Sequence, residues 1–414
     1  MKENIKEFEH FRLHTLYTTK FKKCGIEIHF RDKTSQEKLT NLSALLPLTN
    51  RGTKKYPSLK EMNKRKEYLY GLSSSCYLYS NSNMIDGLIY AEFLNPKYVE
   101  EKEYLEEVIE LLFDYLKEPL LSEKDFEIVK DEIKLSLRRQ EENLSAKSFV
   151  DSKKNLDCVL KLDSFEKESD VDKVTLDDLK EALNDILNNY TIDIYVLGDL
   201  DMDEVERIIV EKSCFKNNPI NEFEFNDLVK SRDVVEVEDK GKFEQSMIVY
   251  FYSLEGLDRE ERLYKATVLS DVLGGGLNSL LYKDIREKHS LCYNISTMFI
   301  RNYNLLRIMV GVDKKNINKA KERIEYNMAN LETLINDSNV SDAKLNIINS
   351  ILSSTDSTDY LLFEADARFC NILDPIDVKL KKYENVTAED VKSIIPTIKE
   401  YTKYVLVGDK NENN

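Results

Sequence analysis

No stretch of this sequence approaches the ~20 consecutive apolar residues that a membrane span needs, so a helical membrane protein is not expected. Nor do the opening residues, Met1 to His10, carry the apolar core of a secretory signal. The six cysteines (Cys24, Cys76, Cys158, Cys214, Cys292 and Cys370) include no C-x-x-C pair. In a chain of this size they read as reduced, mostly buried thiols rather than a disulfide framework. Together these absences point to the cytoplasm. Positive charge is outnumbered: 60 Lys and Arg stand against 76 Asp and Glu, for a formal net charge of −16. That balance disfavours nucleic acid and anionic membrane surfaces as partners and leaves room for a basic peptide or protein. The glycine run at Gly274 is not followed by the Gly-Lys-Ser/Thr of a phosphate-binding loop. Histidine is scarce, with only His10, His14, His29 and His289 available for metal or acid–base chemistry.

What is present is a repeat. Val174-Thr-Leu-Asp-Asp-Leu-Lys180, leading to Tyr195-Val-Leu-Gly-Asp199, returns as Val386-Thr-Ala-Glu-Asp-Val-Lys392, leading to Val405-Leu-Val-Gly-Asp409. The copies lie 210 to 212 residues apart, about half of the 414-residue length. Each Thr-x-x-Asp is a helix N-cap pattern, and each apolar run ending in Gly-Asp reads as the strand that closes its unit. The expectation is two copies of one domain, at 1–215 and 241–414. They would be joined by a polar, aperiodic linker at 216–240, and function would lie between the two copies.

Within the first copy, Arg12–Tyr17, Gly25–Phe30 and Ile85–Phe93 read as strands. After Asn95-Pro96, Tyr104, Leu105, Val108, Ile109, Leu112, Tyr115 and Leu116 recur at helical spacing up to Pro119. Ser122 then caps a second helix with Phe126, Val129, Ile133 and Leu137 inward. The second copy follows suit, with strands at Met247–Tyr252 and Leu305–Val312 and a helix from near Asn318. The fold class expected is α+β: two homologous domains, each a mostly antiparallel sheet with helices packed on one face.

The most specific segment runs from Gly274 to Tyr293. Three glycines break the chain, and a helix follows with Leu277, Leu280, Leu281 and Ile285 inward. A strand starts near Leu291. This passage resembles the second half of the pitrilysin/insulinase metallopeptidases, the family of the mitochondrial processing peptidases. There a glycine-containing turn, a helix bearing Arg-Glu-Lys and a Leu-x-Tyr strand start occur together. The likeness extends over the chain through Ala44-Leu-Leu-Pro47, Gly52-Thr-Lys-Lys-Tyr-Pro57, the Leu69-Tyr-Gly71 turn and the Asn95-Pro96 break. It is nearest to a zinc-less bacterial branch, and it implies the processing-peptidase-like (LuxS-like) metallohydrolase fold.

Catalytic members of that family carry His-x-x-Glu-His on the helix before the Gly-Thr pair, where two histidines hold zinc and the Glu activates its water. Aligned on Gly52, those positions fall on Ser43-Ala-Leu-Leu-Pro47, with Leu46 in place of the base. Glu132 matches the family's third ligand. The resemblance therefore implies no metal and no catalytic residue in this chain. The histidines offer no replacement, since His10 and His14 lie in an extended stretch with no Glu between them. His289 with Cys292 suggests a Cys–His nucleophile, but Cys292 reads better as a small buried residue. The family's second domain supplies an Arg and a Tyr that reach substrate across an interior cavity, and these fall on Arg286 and Tyr293. The bland alternative pairs Arg286 with Glu287 or Asp284 and packs Tyr293 at a sheet edge.

The function this implies is a non-catalytic, zinc-less subunit of a heterodimeric peptidase. It would bind peptide substrate through Arg286 and Tyr293 and complete the site of a homologous partner that carries the zinc. Alone it would have no activity. The alternative is a stand-alone peptide-binding or scaffold module, and an independent Cys292 enzyme ranks third.

Overall fold

The computed structural model describes residues 2–223 and 228–409. It divides into two compact units, one comprising Met1–Leu137, Leu162–Phe225 and Thr355–Cys370 and the other Arg138–Lys161, Asn226–Ser354 and Asn371–Asn414. Each is built on one sheet.

In the first unit, β1 (Lys2–Glu7), β2 (Arg12–Tyr17), β3 (Lys23–Lys33), β4 (Ser73–Asn81), β5 (Met84–Leu94) and β6 (Thr191–Gly198) are ordered β1-β2-β6-β3-β5-β4. Only the β2–β6 pair is parallel. In the second, β7 (Val235–Gly241), β8 (Ser246–Leu254), β9 (Cys292–Ile300), β10 (Leu305–Val312) and β11 (Ile398–Gly408) are ordered β7-β11-β8-β10-β9, again with one parallel pair, β7–β11. The strand that closes each half thus inserts between two earlier strands of that half, β6 between β2 and β3 and β11 between β7 and β8. This explains why the two Gly-Asp-terminated runs are apolar throughout: β6 is buried on both faces over all its residues. The end of the expected linker is itself a strand, β7, while 224–227 within that linker lie outside the described residues.

Strand alternation assigns the faces. Ile26, Ile28 and Phe30 of β3 turn to a core shared with α1 (Gln36–Thr49), α2 (Tyr104–Lys117), α3 (Glu123–Glu142) and, beyond α4 (Leu144–Lys153), α5 (Leu176–Asn188). The second core sets Ile248, Tyr250 and Tyr252 against α6 (Ala266–Gly274), α7 (Ile317–Ala329) and α8 (Asp337–Ser354). The α+β class with helices on each sheet is as expected.

What the sequence does not announce is a helix on the second face of each sheet, taken from the other half of the chain. Helix α4 belongs to the second unit, where its Leu144 and Phe149 pack on the cluster around Val249, Phe251 and Leu305. Helix α9 (Thr358–Phe369) belongs to the first unit and lies over β3 and β6. Gly25 makes room for it: a Cβ there would stand 2.7 Å from Leu362 Cδ1. The contiguous division 1–215, 216–240 and 241–414 describes chain order, and packing exchanges two segments across it.

Local signals behave as read. Ser122 Oγ accepts from the Asp125 N–H at 3.1 Å, and β10 has the bounds expected. Leu277 is a correction. It is 69% exposed, because it falls in the turn before the helix begins, whereas Leu281 and Ile285 are buried. Both copies of the repeat form reciprocal capping boxes, Thr175 with Asp178 and Thr387 with Asp390. Thr175→Ala and Thr387→Ala should each cost about 1 kcal/mol in chemical unfolding. A neutral result at either position would deny the cap its role.

Candidate functional site

The position of the family's zinc helix is α1, capped by Ser35 and carrying Pro47 within its last turns. Leu46 is buried in the core at 2% exposure, and Pro47 faces solvent. Ser43 Oγ bonds to Ser164 Oγ at 2.5 Å. Glu132, on α3, accepts a hydrogen bond from Arg51 Nη1 at 3.1 Å, and Arg51 Nε stands 3.5 Å from Asp125. A hydroxyl, a hydrocarbon, a ring and one carboxylate already facing a guanidinium do not make a zinc site, which needs about four N, S or O donors converging. The residues present do not fit the metal.

A different cluster was hidden from sequence reading. The polar residues that alternate along β3, namely Glu27, His29 and Arg31, meet Asp86 of β5, Arg12 and His14 of β2 and Asp193 of β6, all buried beneath α9. Arg31 is the hub. Its Nε donates to Asp86 at 2.9 Å, Nη1 to Asp193 at 3.1 Å and Nη2 to Asp366 of α9 at 2.7 Å. Arg12 donates twice to Asp193, at 2.6 and 3.0 Å, and its guanidinium stacks 4.8 Å from the Phe369 ring. His14 meets Asp193 at 3.1 Å and stacks on Tyr195 at 4.1 Å. His29, Asp86 and Asp366 are the one trio of possible metal ligands gathered among the described residues. Arg31 Nη2 lies 2.7 Å from both His29 Nδ1 and Asp366, so a guanidinium already occupies the ground a cation would take.

The pairing sets the protonation states. Burial works against charge on Asp193, but hydrogen bonds from His14 and Arg12 and the charge of Arg31 hold its carboxyl well below the ordinary range. Asp86 is lowered against burial by Arg31 and His29. Glu27 is pushed up by burial. Burial also opposes an imidazolium at His29, as does Arg31, yet Asp86 and Asp366 raise its pKa to about 10.

The Gly274–Tyr293 segment lies in the second unit. Arg286 is exposed on the helical turn Tyr282–Lys288, its guanidinium 5.1 Å from the Tyr282 ring. Asp284, the partner suggested by the bland alternative, is taken by Arg323 at 2.7 and 2.8 Å and by Asn327 at 2.8 Å. Arg286 has no carboxylate partner among the described residues. Backbone bonds from Ser290 to Arg286 and from Leu291 to Ile285 close the turn, with Ser290 in the left-handed region at φ 51°. Tyr293 follows at a β-bulge: Val312 pairs with Cys292 and Gly311 with Asn294, leaving Tyr293 as the extra residue. A bulge re-aims its side chain, and Tyr293 is 50% exposed, donating to Asp313 at 3.0 Å. That bond to a carboxylate raises its pKa. Cys292 is buried, and its thiol is pushed up to about 11 by burial. A thiol held protonated in this way is no nucleophile. His289 turns to Asp284 at 3.6 Å, and His14 is locked into β2, far from any pairing with His10 as ligands.

Residues 173–351 match the Peptidase M16 inactive domain. The whole chain is similar to a Bacillus subtilis protein described as probable inactive metalloprotease YmfF, at 26% identity over 95% of both chains. The chain is thus similar to the peptidase M16 family. Among solved structures, a conserved protein from Enterococcus faecalis V583 superposes with a TM-score of 0.91, 18% identity and coverage of 99% of this chain and 100% of that one. A peptidase M16 inactive domain from Pseudomonas fluorescens superposes at 0.78, with 14% identity over 99% and 98%. The donor set at Ser43, Leu46 and Pro47 agrees with the description of these relatives as inactive, since it offers a metal no ligand set at that position.

Arg31→Met should cost about 3–5 kcal/mol, because it strands buried carboxylates, and a loss under about 1 kcal/mol would deny the network that role. The pH dependence has two limbs of opposite sign. Stability from the lowered Asp86 and Asp193 is complete above the ordinary 3.8 and is lost as acid protonates them. Stability from His29 is complete below its ordinary 6.5 and is lost as pH rises through about 10. Urea midpoints should fall on both sides, and His29→Gln should flatten the alkaline limb. An unchanged alkaline slope would mean that His29 is neutral in the folded protein.

Proposed function

We propose that this M16 homologue is the zinc-less subunit of a two-chain cytoplasmic peptidase, pairing with a homologous chain that bears the zinc motif. It binds peptide substrate and completes the partner's site with Arg286 and Tyr293. The observation that carries this reading is the state of Arg286. With Asp284 committed to Arg323 and Asn327, its guanidinium is left at the surface with no carboxylate partner among the described residues, just ahead of the bulge that turns Tyr293 outward. A guanidinium and a phenol can both donate to a peptide carbonyl and to the oxyanion formed when water attacks it. Support for extended substrates comes from the edge strands β4 and β9, whose outer main-chain groups have no partner strand. Tyr77 and Tyr79 are exposed on β4, and Tyr293 and Met298 on β9.

Affinity purification of the tagged chain from its source cell should co-elute a chain carrying His-x-x-Glu-His. The reconstituted pair should cleave peptide, while this chain alone should hold no stoichiometric zinc and cleave none. In the pair, Arg286→Ala should lower kcat/KM by about 10²–10³-fold, the scale of a lost oxyanion donor, with assembly intact. Full activity in that variant would remove the assigned role. Exclusive self-association with peptide binding would favour the stand-alone scaffold instead.

A further inference from the structure

The second face of the β7–β11 sheet holds a cation with no counter-charge among the described residues. Arg307 lies on β10, facing the same side as Leu305 and Met309, with Phe251 of β8 and Met298 of β9 as its cross-strand neighbours. Its guanidinium stands 5.0 Å from the ring of Phe149 on α4. This surround is apolar. Arg307 Nε is closed off from solvent without an acceptor, and the side chain makes no ion pair among the described residues. Burial alone acts on its pKa, lowering it, with no neighbouring charge contributing. The corresponding face of the first unit is the opposite case, since Arg12 and Arg31 there are surrounded by Asp86, Asp193 and Asp366. A half-buried cation kept without a counter-charge is costly unless an anion arrives from outside.

The surroundings say where it would arrive. Helix α4 packs on β8 and β11. On β9, Asn294, Ser296 and Met298 are exposed, Met298 at 50%, and the outer edge of that strand has no partner. Arg307 therefore sits where the covered part of the sheet gives way to an open edge strand. Neighbouring strands lie ~4.8 Å apart. A segment added outside β9 would be two such spacings from β10, within reach of a long arginine meeting a side chain on the same face.

We infer that Arg307 is a specificity residue that recognises a carboxylate on an extended peptide paired to the open edge of β9. The inference rests on the peptide-binding reading above and narrows its ligand: a local uncompensated cation selects an acidic residue in a chain whose overall charge is negative. The recognition is a charge-assisted hydrogen bond of the guanidinium–carboxylate type, strengthened by the apolar walls of Phe149 and Phe251.

Binding of a short, end-blocked, threonine-rich peptide carrying one central glutamate is compared with its glutamine counterpart by fluorescence anisotropy. A third peptide, in the glutamine form with a free C-terminus, separates a side-chain carboxylate from a chain end. The carboxylate peptides should bind about tenfold more tightly than the blocked glutamine peptide, a preference that shrinks with added salt. Arg307→Met, which replaces the cation with a side chain suited to the apolar surround, should abolish the preference, keep binding of the glutamine peptide and raise thermal stability. Equal binding of all three peptides by the unmodified protein would overturn the role of Arg307 and leave peptide binding standing. If no peptide binds, the peptide-binding reading falls, and this inference with it. The preference and its decline with salt are readable in the unmodified chain even if the variant does not fold.

Discussion

The guanidinium of Arg31 organises more of this protein than any other single group. Four strands bring their polar residues to one buried face, and that face can be covered only if its charges are matched. Arg31 binds carboxylates from β5 and β6 within the sheet and a third, Asp366, from α9. A helix that arrives from the second half of the chain is thereby tied to a sheet built by the first. The carboxylates stay ionised in spite of burial because the arginines compensate them. The price of such a network is that no member can be removed singly without stranding the rest.

The two second faces solve one packing problem in different ways. In the first unit the covering helix meets a paired ionic layer. In the second, α4 meets Val249, Phe251, Leu305 and Tyr404, an apolar layer in which Arg307 is the exception. Duplication supplies one five-strand order twice, down to the single parallel pair and with β1 as an extra edge strand in the first unit, but it does not dictate what fills the second face. In the ionic layer Arg12 and Arg31 are matched by Asp86, Asp193 and Asp366, whereas in the apolar layer Arg307 has no carboxylate partner among the described residues and lies beside an exposed edge strand.

The position where relatives of this fold would hold zinc underwent a parallel replacement. Leu46 went into the core, Pro47 to the surface, and Glu132 toward Arg51. A positive charge supplied by a side chain now faces the surviving carboxylate. This is a stable arrangement and a catalytically silent one, since a guanidinium neither activates water nor offers an open coordination position.

Much was legible before folding because the signals are local. The Thr-x-x-Asp caps, the alternation in β3, the helical spacing of α2 and the Gly-Asp strand ends depend on neighbours a few residues away, so the repeat and the fold class could be read directly. The turn at Ser290 and the bulge at Tyr293 were not legible, nor was the exposure of Leu277, because each depends on where a helix starts or on strand register. Least visible was the exchange of α4 and α9. Glu27, His29 and Arg31 alternate with apolar residues as a solvated strand face would, and nothing nearby in sequence says that they are buried. The sequence by itself determined two sheets of similar pattern, since caps and alternation follow from residue type and spacing, while the reading of Ser43, Leu46 and Pro47 as lost zinc positions came from the family resemblance. Only the tertiary structure decided which charges are matched and which, like Arg286 and Arg307, have no carboxylate partner among the described residues, because matching depends on groups brought together from hundreds of residues apart.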